Sequence, residues 1–505
     1  MERFAAWFSE LEEGRGKLVA FGETAVLLVR QGKGVRAVEG KCPHAGAPLD
    51  KGAVCDGVLV CPWHMGAFRL SDGAWLEPPP LRSLRTYPAR VAGDEVWVEL
   101  DPPAPTPPRK RAAEIRVALI GAGAATAAAA ETLRERGFAG RITLVAPQAE
   151  EPIDRTLLSK QALAGQWDLA ALPLWKEGDH GRLGLDRVAG TVADLDAQAR
   201  RVRLEDGREV GFDMALMAPG GAPRNLDVPG ADLPGVATIR HAADVRALLG
   251  AARRAERAVV VGTGFIGMEA AASLRDLGLA VTVVGQKGLP FEPLLGRRVA
   301  RALTALHERK GVAFRLDAEV ARIEGRERAE AVVLGSGERL PAGIVVLGVG
   351  VRPATDFLRG LALQEDGGVP VDKRLRAAPG LWAAGDVAAV DGAPRIEHWR
   401  VAQQHGRAAA LDMLGEGEDF SGVPFFWSAQ HGYRIDLLGR APKGVDPVVD
   451  GDLDGMDFLA YYAEGEQVRA VLSAGRETAT AWLCERMRGP LTLDEARAGA
   501  SAFTT

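Results

Sequence analysis

The chain has 505 residues, enough for three or four domains, and 47% of it is hydrophobic, as in ordinary soluble globular protein. Its net charge of −5 excludes a strongly basic protein and argues against nucleic acid as a partner. No run of about twenty uncharged apolar residues occurs, so no membrane span is expected, and only four cysteines point to a reducing cytoplasm.

The chain opens MERFAAWFSELEEGRGK, with acids where a signal peptide would carry a basic region. Short apolar runs at 17–21, 25–30 and 35–38, separated by glycine-containing turns, predict strands of a small β domain. Three of the four cysteines and two of the eight histidines then fall within 42–64. They form Cys42-Pro43-His44, a sixteen-residue spacer, and Cys61-Pro62-Trp63-His64. Two thiolates and two imidazoles on two short loops suit a four-coordinate zinc or a 2Fe–2S cluster. Pro43 and Pro62 stiffen the loops, so the ligands are held before metal arrives. The C-P-H and C-P-W-H wording, with Gly46 after the first histidine, resembles the Rieske pattern. In that pattern one iron takes the two cysteines and the other takes the two histidines, which assigns Cys42, His44, Cys61 and His64. A strand over 95–100 closes the module.

Many Rieske proteins carry a disulfide beside the cluster, with an extra cysteine soon after the first histidine. Here that neighbourhood holds Gly46 and Ala47, and Cys55 has no obvious mate. The module thus resembles the ferredoxins of bacterial dioxygenase systems, toward the lower end of the Rieske range of roughly −150 to +300 mV. Cys55 reads as a packed small residue.

Residues 102–113, PPAPTPPRKRAA, read as a semi-rigid spacer that keeps the Rieske module close to the C-terminal four-fifths of the chain. A buried strand over 115–120 then leads into Gly121-Ala122-Gly123-Ala124-Ala125-Thr126, a helix over 127–136 and a strand over 142–145. Such a βαβ unit sets a pyrophosphate on a helix N-terminus. Thr126 stands where the third glycine belongs, which puts the closest helix–strand packing in question. The unit recurs at Gly262-Thr263-Gly264-Phe265-Ile266-Gly267, between strands over 258–261 and 281–284, as a full G-x-G-x-x-G. A third motif, Gly380 to Asp386, returns to the first unit, so the second nucleotide domain is inserted within it.

Two dinucleotide folds in this order resemble flavoprotein reductases in which one holds FAD and the other NAD(P)H. With the Rieske module, the whole chain resembles the Rieske-fused, apoptosis-inducing-factor-like ferredoxin reductases. Further matching stretches are Asp154-Arg155, Leu158-Ser159-Lys160, Phe265 to Glu269, Pro290-Phe291-Glu292, Gly348 to Pro353, Glu397-His398-Trp399 and Val423 to Ser428. The resemblance implies a multidomain chain: an all-β Rieske domain at 1–101, the linker at 102–113, and an α/β FAD domain at 114–244 and 352–420. An inserted NAD(P) domain covers 245–351, and a small α/β C-terminal domain, which often carries dimer contacts, covers 421–505.

The resemblance also assigns roles. Lys160 and Glu269 form an ion pair beside flavin N5, Trp399 packs near the flavin ring, Arg155 reaches the adenosine half, and Asp386 after Gly385 binds the ribityl chain. Ala218, Pro219 and Gly220, in place of the usual A-T-G-A, belong to the flavin site, and Gly348 and Val349 to the nicotinamide site. A lysine beside N5 favours negative charge on the reduced ring, and a paired glutamate spares it an uncompensated burial.

Beyond Thr126 and the 218–220 stretch, both nucleotide domains depart from the pattern after their second strands. Pro147 falls where an acid should grip the adenine ribose of FAD, leaving Gln148 or Glu150 to compensate. Gln286 and Lys287, after the strand over 281–284, replace the acid that binds the ribose 2′-hydroxyl, leaving NADPH as open as NADH; Arg297 and Arg298 are further phosphate candidates. The implied activity is an NAD(P)H-dependent FAD oxidoreductase that relays electrons through its own 2Fe–2S cluster to an external acceptor such as an oxygenase. A redox-sensing or scaffold protein with a degraded flavin site, and an NAD(P)H oxidase, are the alternatives. No redox-active cysteine lies between Cys61 and Cys484, which disfavours a disulfide reductase.

Overall fold

The computed structural model describes residues 2–101, 110–147, 151–176 and 178–503. The proline-rich spacer up to residue 109, and Gln148 and Glu150, lie outside the described residues. Among the described residues no helix is long and apolar enough to cross a membrane.

The first hundred residues form three small antiparallel sheets. The hairpin Gly16–Phe21 with Thr24–Gln31, extended by Gly34–Glu39, realises the three strands expected from the apolar runs. Alternation divides the middle strand's side chains. Leu27 and Val29 pack with Cys42, Cys61 and Phe68, while Val26 and Leu28 pack with Tyr87, Val96 and Val98. One face of that strand therefore supports the Cys/His loops.

Both nucleotide domains are built on largely parallel sheets whose central strands are buried along nearly their whole length, as sheets covered on both faces require. In the first, Leu185–Ala189, Arg141–Ala146, Arg116–Ile120, Met214–Met217 and Leu381–Ala383 lie side by side, edged by Arg376–Ala378. The late strand Leu381–Ala383 pairs in parallel with Met214–Met217, so the chain does return to this sheet after the intervening domain. In the second, the order is Val236–Ala237, Ile344–Leu347, Arg257–Val261, Ala280–Val284 and Val312–Arg315. Each carries a three-stranded antiparallel meander, Val192–Gly211 in one and Val320–Pro341 in the other.

The C-terminal unit is a five-stranded antiparallel sheet, from Phe425–Gln430 to Gln467–Ala474, backed by the helices Glu477–Arg486 and Leu493–Ser501. Its core is shared with the first domain: Ala53, Cys55, Val60, Met65 and Ala67 pack into one cluster with Phe425, Trp427, Tyr461 and Cys484. All four cysteines are free, and Cys55 is a buried small residue within this interface.

Two arginines on the helix Trp399–Met413 fasten the first domain to the rest. Arg400, only 2% exposed, donates to the carbonyls of Met65 (2.8 Å), Pro78 (2.8 Å) and Val423 (3.1 Å). Arg407 donates to the carbonyls of Trp75 (2.6 Å) and Leu76 (3.2 Å), its guanidinium 4.2 Å from the Trp75 ring centre. Glu77 accepts from Gln404 (2.7 Å) and Arg488 (2.6 Å), so its charge is compensated where it is covered.

Candidate electron-transfer site

The two Cys/His loops are closed by their own backbone. Cys42 N–H donates to Ala47 O and Gly46 N–H to Cys42 O, both at 2.9 Å, while Cys61 N–H donates to Gly66 O at 2.8 Å. Gly46 at φ 75° and Met65 at φ 57° make the turns after each histidine. The ligand atoms come together in two pairs. His44 Nδ1 and His64 Nδ1 lie 3.2 Å apart, and the buried Cys42 and Cys61 thiols face each other within hydrogen-bonding reach. Desolvation holds both imidazoles below their usual pKa, so neutral ring nitrogens are available as ligands.

A structural zinc gathers four donors round one point; here the donors stand as a His pair and a Cys pair. One His pair and one Cys pair fit a diiron cluster, in which each iron takes two protein ligands and shares the sulfides.

A cavity opens directly beside these loops. The turn Gly121 to Ala125 leads into the helix Ala124–Glu135, and Ala122, Gly123, Ala124 and Ala125 line the cavity. Gly121, at φ 103°, has no room for a side chain, since a Cβ would sit 2.3 Å from Ala218 O. Gly123 would meet nothing within 4 Å, so a pyrophosphate can approach the backbone there. Thr126 fits where glycine was expected: it is fully buried, its hydroxyl accepting from Gly123 N–H (3.0 Å) and donating to Gly123 O (2.9 Å). The close approach is made one element over, by Gly406, whose Cβ would lie 2.0 Å from Ala125 O.

Ala218, Pro219, Gly220, Gly385 and Asp386 line the same cavity, as do Arg155, Lys160, Glu269 and Trp399. Lys160 Nζ and Glu269 Oε2 are 2.9 Å apart at 8% and 2% side-chain exposure. Lys160 also donates to Thr156 O (2.9 Å), and Glu269 accepts from Ser428 Oγ (2.7 Å) and from Ser159 Oγ. Trp399 has its indole N–H buried without a partner, a donor that the polar edge of an isoalloxazine would satisfy. The residues present therefore fit FAD.

A neighbouring cavity, sharing Ala122, Arg155, Pro219 and Arg240 with the first, is lined by Gly121, Pro147 and Glu151 and suits the adenosine half. Pro147 leaves no acid at the end of the strand Arg141–Ala146; Glu151 faces this cavity, paired with Arg187 at 2.8 Å. A third cavity contains Gly264, Phe265, Ile266 and Gly348, and meets the flavin cavity at Phe265, Ile266, Glu397 and Phe426. Gly262, Gly267, Gln286, Lys287 and Val349 do not line these cavities. Gly262 and Gly267 are packing positions, where a Cβ would lie 2.2 Å from Gly348 O and 2.3 Å from Gly262 O; Gln286 and Lys287 are exposed after the strand Ala280–Val284. Val349 packs against the apolar core of the second nucleotide domain.

Sequence reasoning gave no role to Trp427. It lines the flavin cavity with Trp399, and both meet the Cys/His loops: Trp427 lies 4.5 Å from the His64 ring and Trp399 6.0 Å from the His44 ring, centre to centre. The two indoles are 6.1 Å apart, edge to face. Its signal was the match at Val423 to Ser428, which named the stretch without saying what it touches.

A Rieske-type loop pair set against a flavin cavity, on a fold of two nucleotide domains and a C-terminal cap, defines a flavoprotein reductase with its iron–sulfur module built in. The profile of the pyridine nucleotide-disulphide oxidoreductase family matches residues 115–406, and that of the Rieske [2Fe-2S] domain matches residues 4–88. Apoptosis-inducing factor 3 of Mus musculus is 36% identical over 488 residues, covering 92% of this chain and 80% of that protein. The biphenyl dioxygenase system ferredoxin–NAD(+) reductase component of Paraburkholderia xenovorans is 34% identical over 344 residues, covering 66% of this chain and 84% of that protein. Among solved structures, the covalent putidaredoxin reductase–putidaredoxin complex matches with a TM-score of 0.72 at 27% identity, covering 77% of this chain and 100% of that chain. The chain belongs to the pyridine nucleotide-disulphide oxidoreductase family and carries a Rieske [2Fe-2S] domain: it is an NAD(P)H-dependent FAD oxidoreductase of the ferredoxin reductase kind.

Proposed function

We propose that the protein passes electrons from NAD(P)H through FAD to its own Rieske cluster, and from there to an external one-electron acceptor such as an oxygenase component. When bound, FAD supplies hydride acceptance and one-at-a-time release of electrons, and the 2Fe–2S cluster supplies a one-electron relay. The observation that carries the reading is the contact of Trp399 and Trp427 with both the flavin cavity and the rings of His44 and His64. No diffusion step then separates the two redox groups.

The chain's own residues do the positioning. Phe265 and Ile266, common to both cavities, would bring the nicotinamide and flavin rings together, since hydride transfer needs contact distance. Lys160 holds positive charge beside the flavin ring, and Glu269 balances it when the ring is oxidised. His44 and His64, the ligand pair nearer the flavin cavity, would hold one iron, and Cys42 and Cys61, packed among Leu27, Leu49 and Phe68, would hold the other. An oxygenase component as acceptor is supported by the ferredoxin–NAD(+) reductase relative, which belongs to a biphenyl dioxygenase system.

The test is single-turnover reduction of the holoprotein by NADH and NADPH without oxygen, following flavin and cluster absorbance separately. Trp427→Leu should leave flavin reduction intact and slow cluster reduction. Cluster reduction at the wild-type rate in both Trp427→Leu and Trp399→Leu would overturn the route. Oxygen consumption unchanged by Cys42→Ser would favour an oxidase instead.

A further inference from the structure

Glu269 is not only paired with Lys160. Its second carboxylate oxygen accepts from Ser428 Oγ at 2.7 Å. Ser428 Oγ accepts from Gln430 Nε2 at 2.9 Å, Gln430 Oε1 meets His307 Nε2 at 2.7 Å, and His307 Nδ1 meets His431 Nε2 at 2.9 Å. The line runs from the flavin cavity, through the C-terminal sheet, to the end of the helix Glu292–Arg309. Glu269, Ser428, Gln430 and His307 are all buried, and His431 at the far end is half-buried.

Proton positions along this line follow from one end. A carboxylate only accepts, so Ser428 must donate to it and accept from the Gln430 amide N–H. Gln430 Oε1 then accepts from His307 Nε2–H, which leaves His307 Nδ1 free to accept from His431 Nε2–H. Every member donates toward Glu269. Burial depresses the pKa of His307 to about 4 and that of His431 to about 3, so both rings are neutral at neutral pH, as this ordering needs.

The outer end is built at a local cost. His431-Gly432 is a two-residue hairpin loop between Gln430 and Tyr433, with φ of 54° and 83°. Two positive φ values mark a type I′ turn, where Asn, Asp or Gly is preferred at the first position. Histidine occupies that position here, and its ring bonds His307.

We propose that His431, His307, Gln430 and Ser428 form the wire through which buried Glu269 exchanges protons with solvent. It rests on the electron route above. A hydride brings two electrons and one hydrogen nucleus to the flavin, so when both electrons have left singly for the cluster and its acceptor, one proton must leave as well. Glu269, beside that site, takes it up, and the wire discharges it. The resting order carries protons inward, so discharge needs the line reversed first: the Gln430 carboxamide flips and both imidazoles take the Nδ1–H form. Glu269 then gives its proton to Ser428 Oγ, Ser428 to Gln430 Oε1, Gln430 Nε2–H to His307 Nε2, His307 Nδ1–H to His431 Nε2 and His431 Nδ1–H to solvent, each group gaining one proton as it gives one up, and no electrons move. Lys160 is the cation facing the inner end, and Lys310 and Arg275 bear on His431 at the outer end.

The test does not depend on turnover. In the full-length protein, the carboxyl infrared band of Glu269, assigned by its loss in Glu269→Gln, is followed after an acid jump in wild type, Gln430→Leu and His431→Phe. Cutting the wire should slow the band's appearance by about 10²-fold, the low end of what positioned proton transfer contributes, and imidazole should restore the rate in His431→Ala. A rate unchanged in both variants, or no carboxyl band at any pH where wild type stays folded, overturns the wire. Nitrogen-15 spectra of unsubstituted protein give a second check: His307 and His431 should both carry the proton on Nε2, and the opposite tautomer at His307 contradicts the ordering. Failure of the electron route would appear instead as an unbleached cluster with the carboxyl kinetics unchanged.

Discussion

At the scale of single residues, the buried ion pair is the most exposed to test. Glu269→Gln leaves the Lys160 ammonium buried without its counter-charge, and breaking such a pair costs about 3–5 kcal/mol. Chemical denaturation should register that loss, and hydride transfer to bound flavin should slow. His405 gives a pH prediction. It is buried, and burial alone lowers its pKa from 6.5 to about 4. Its Nδ1 accepts the Gly385 N–H at 3.3 Å, which the protonated ring could not do. The unfolded chain binds this proton first as pH falls, so stability is lost between pH 6.5 and about 4, by about 3 kcal/mol for this group. His405→Gln should remove that share of the acid sensitivity, read as unfolding free energy against pH, and flavin should be released less readily on acidification.

The candidate Cys/His ligands were legible because they sit in a short motif whose chemistry is local, and Lys160 and Glu269 only through the family resemblance. Ser428, Gln430 and His307 were not. Their partners lie up to 159 residues away in sequence, and a buried Ser or Gln carries no composition signal.

Among the elements, the helix Trp399–Met413 joins the sites. One end offers Trp399 to the flavin cavity, its next residue holds the Rieske loop, and its middle lies against Ala125 at Gly406. A Cβ at 406 would meet backbone at 2.0 Å, which only a shift of the two helices can relieve. Overpacking of this kind costs about 1–3 kcal/mol or more, so Gly406→Ala should lower both melting temperature and flavin content of the purified protein. The strands and both glycine-rich turns could be read from hydrophobic runs and spacing. The Gly406 contact could not, because a glycine inside a helical stretch gives no hint of which backbone it must approach. Thr126 shows the converse: an apparent defect in the motif is accommodated by hydrogen bonds to Gly123, three residues away.

Taken whole, the molecule holds its Rieske domain against the flavin cavity. The shared apolar cluster with the C-terminal sheet and the carbonyls gathered by Arg400 and Arg407 make an interface that sequence could only suggest as a tether. Arg400→Met would orphan carbonyls of Met65, Pro78 and Val423. A buried carbonyl left unsatisfied costs about 1–3 kcal/mol, enough to raise the undocked fraction by about tenfold or more. Cluster reduction should slow accordingly, with hydride transfer to the flavin unchanged, and small-angle scattering should show a more extended particle.

The most direct measurement is the rate of cluster bleaching after anaerobic mixing with NAD(P)H, taken over a wide range of protein concentration. Transfer within one chain predicts flavin bleaching first, then cluster bleaching at a first-order rate that does not change with concentration. A rate that rises in proportion to protein concentration, or a reduced flavin beside a cluster that stays oxidised, would contradict it.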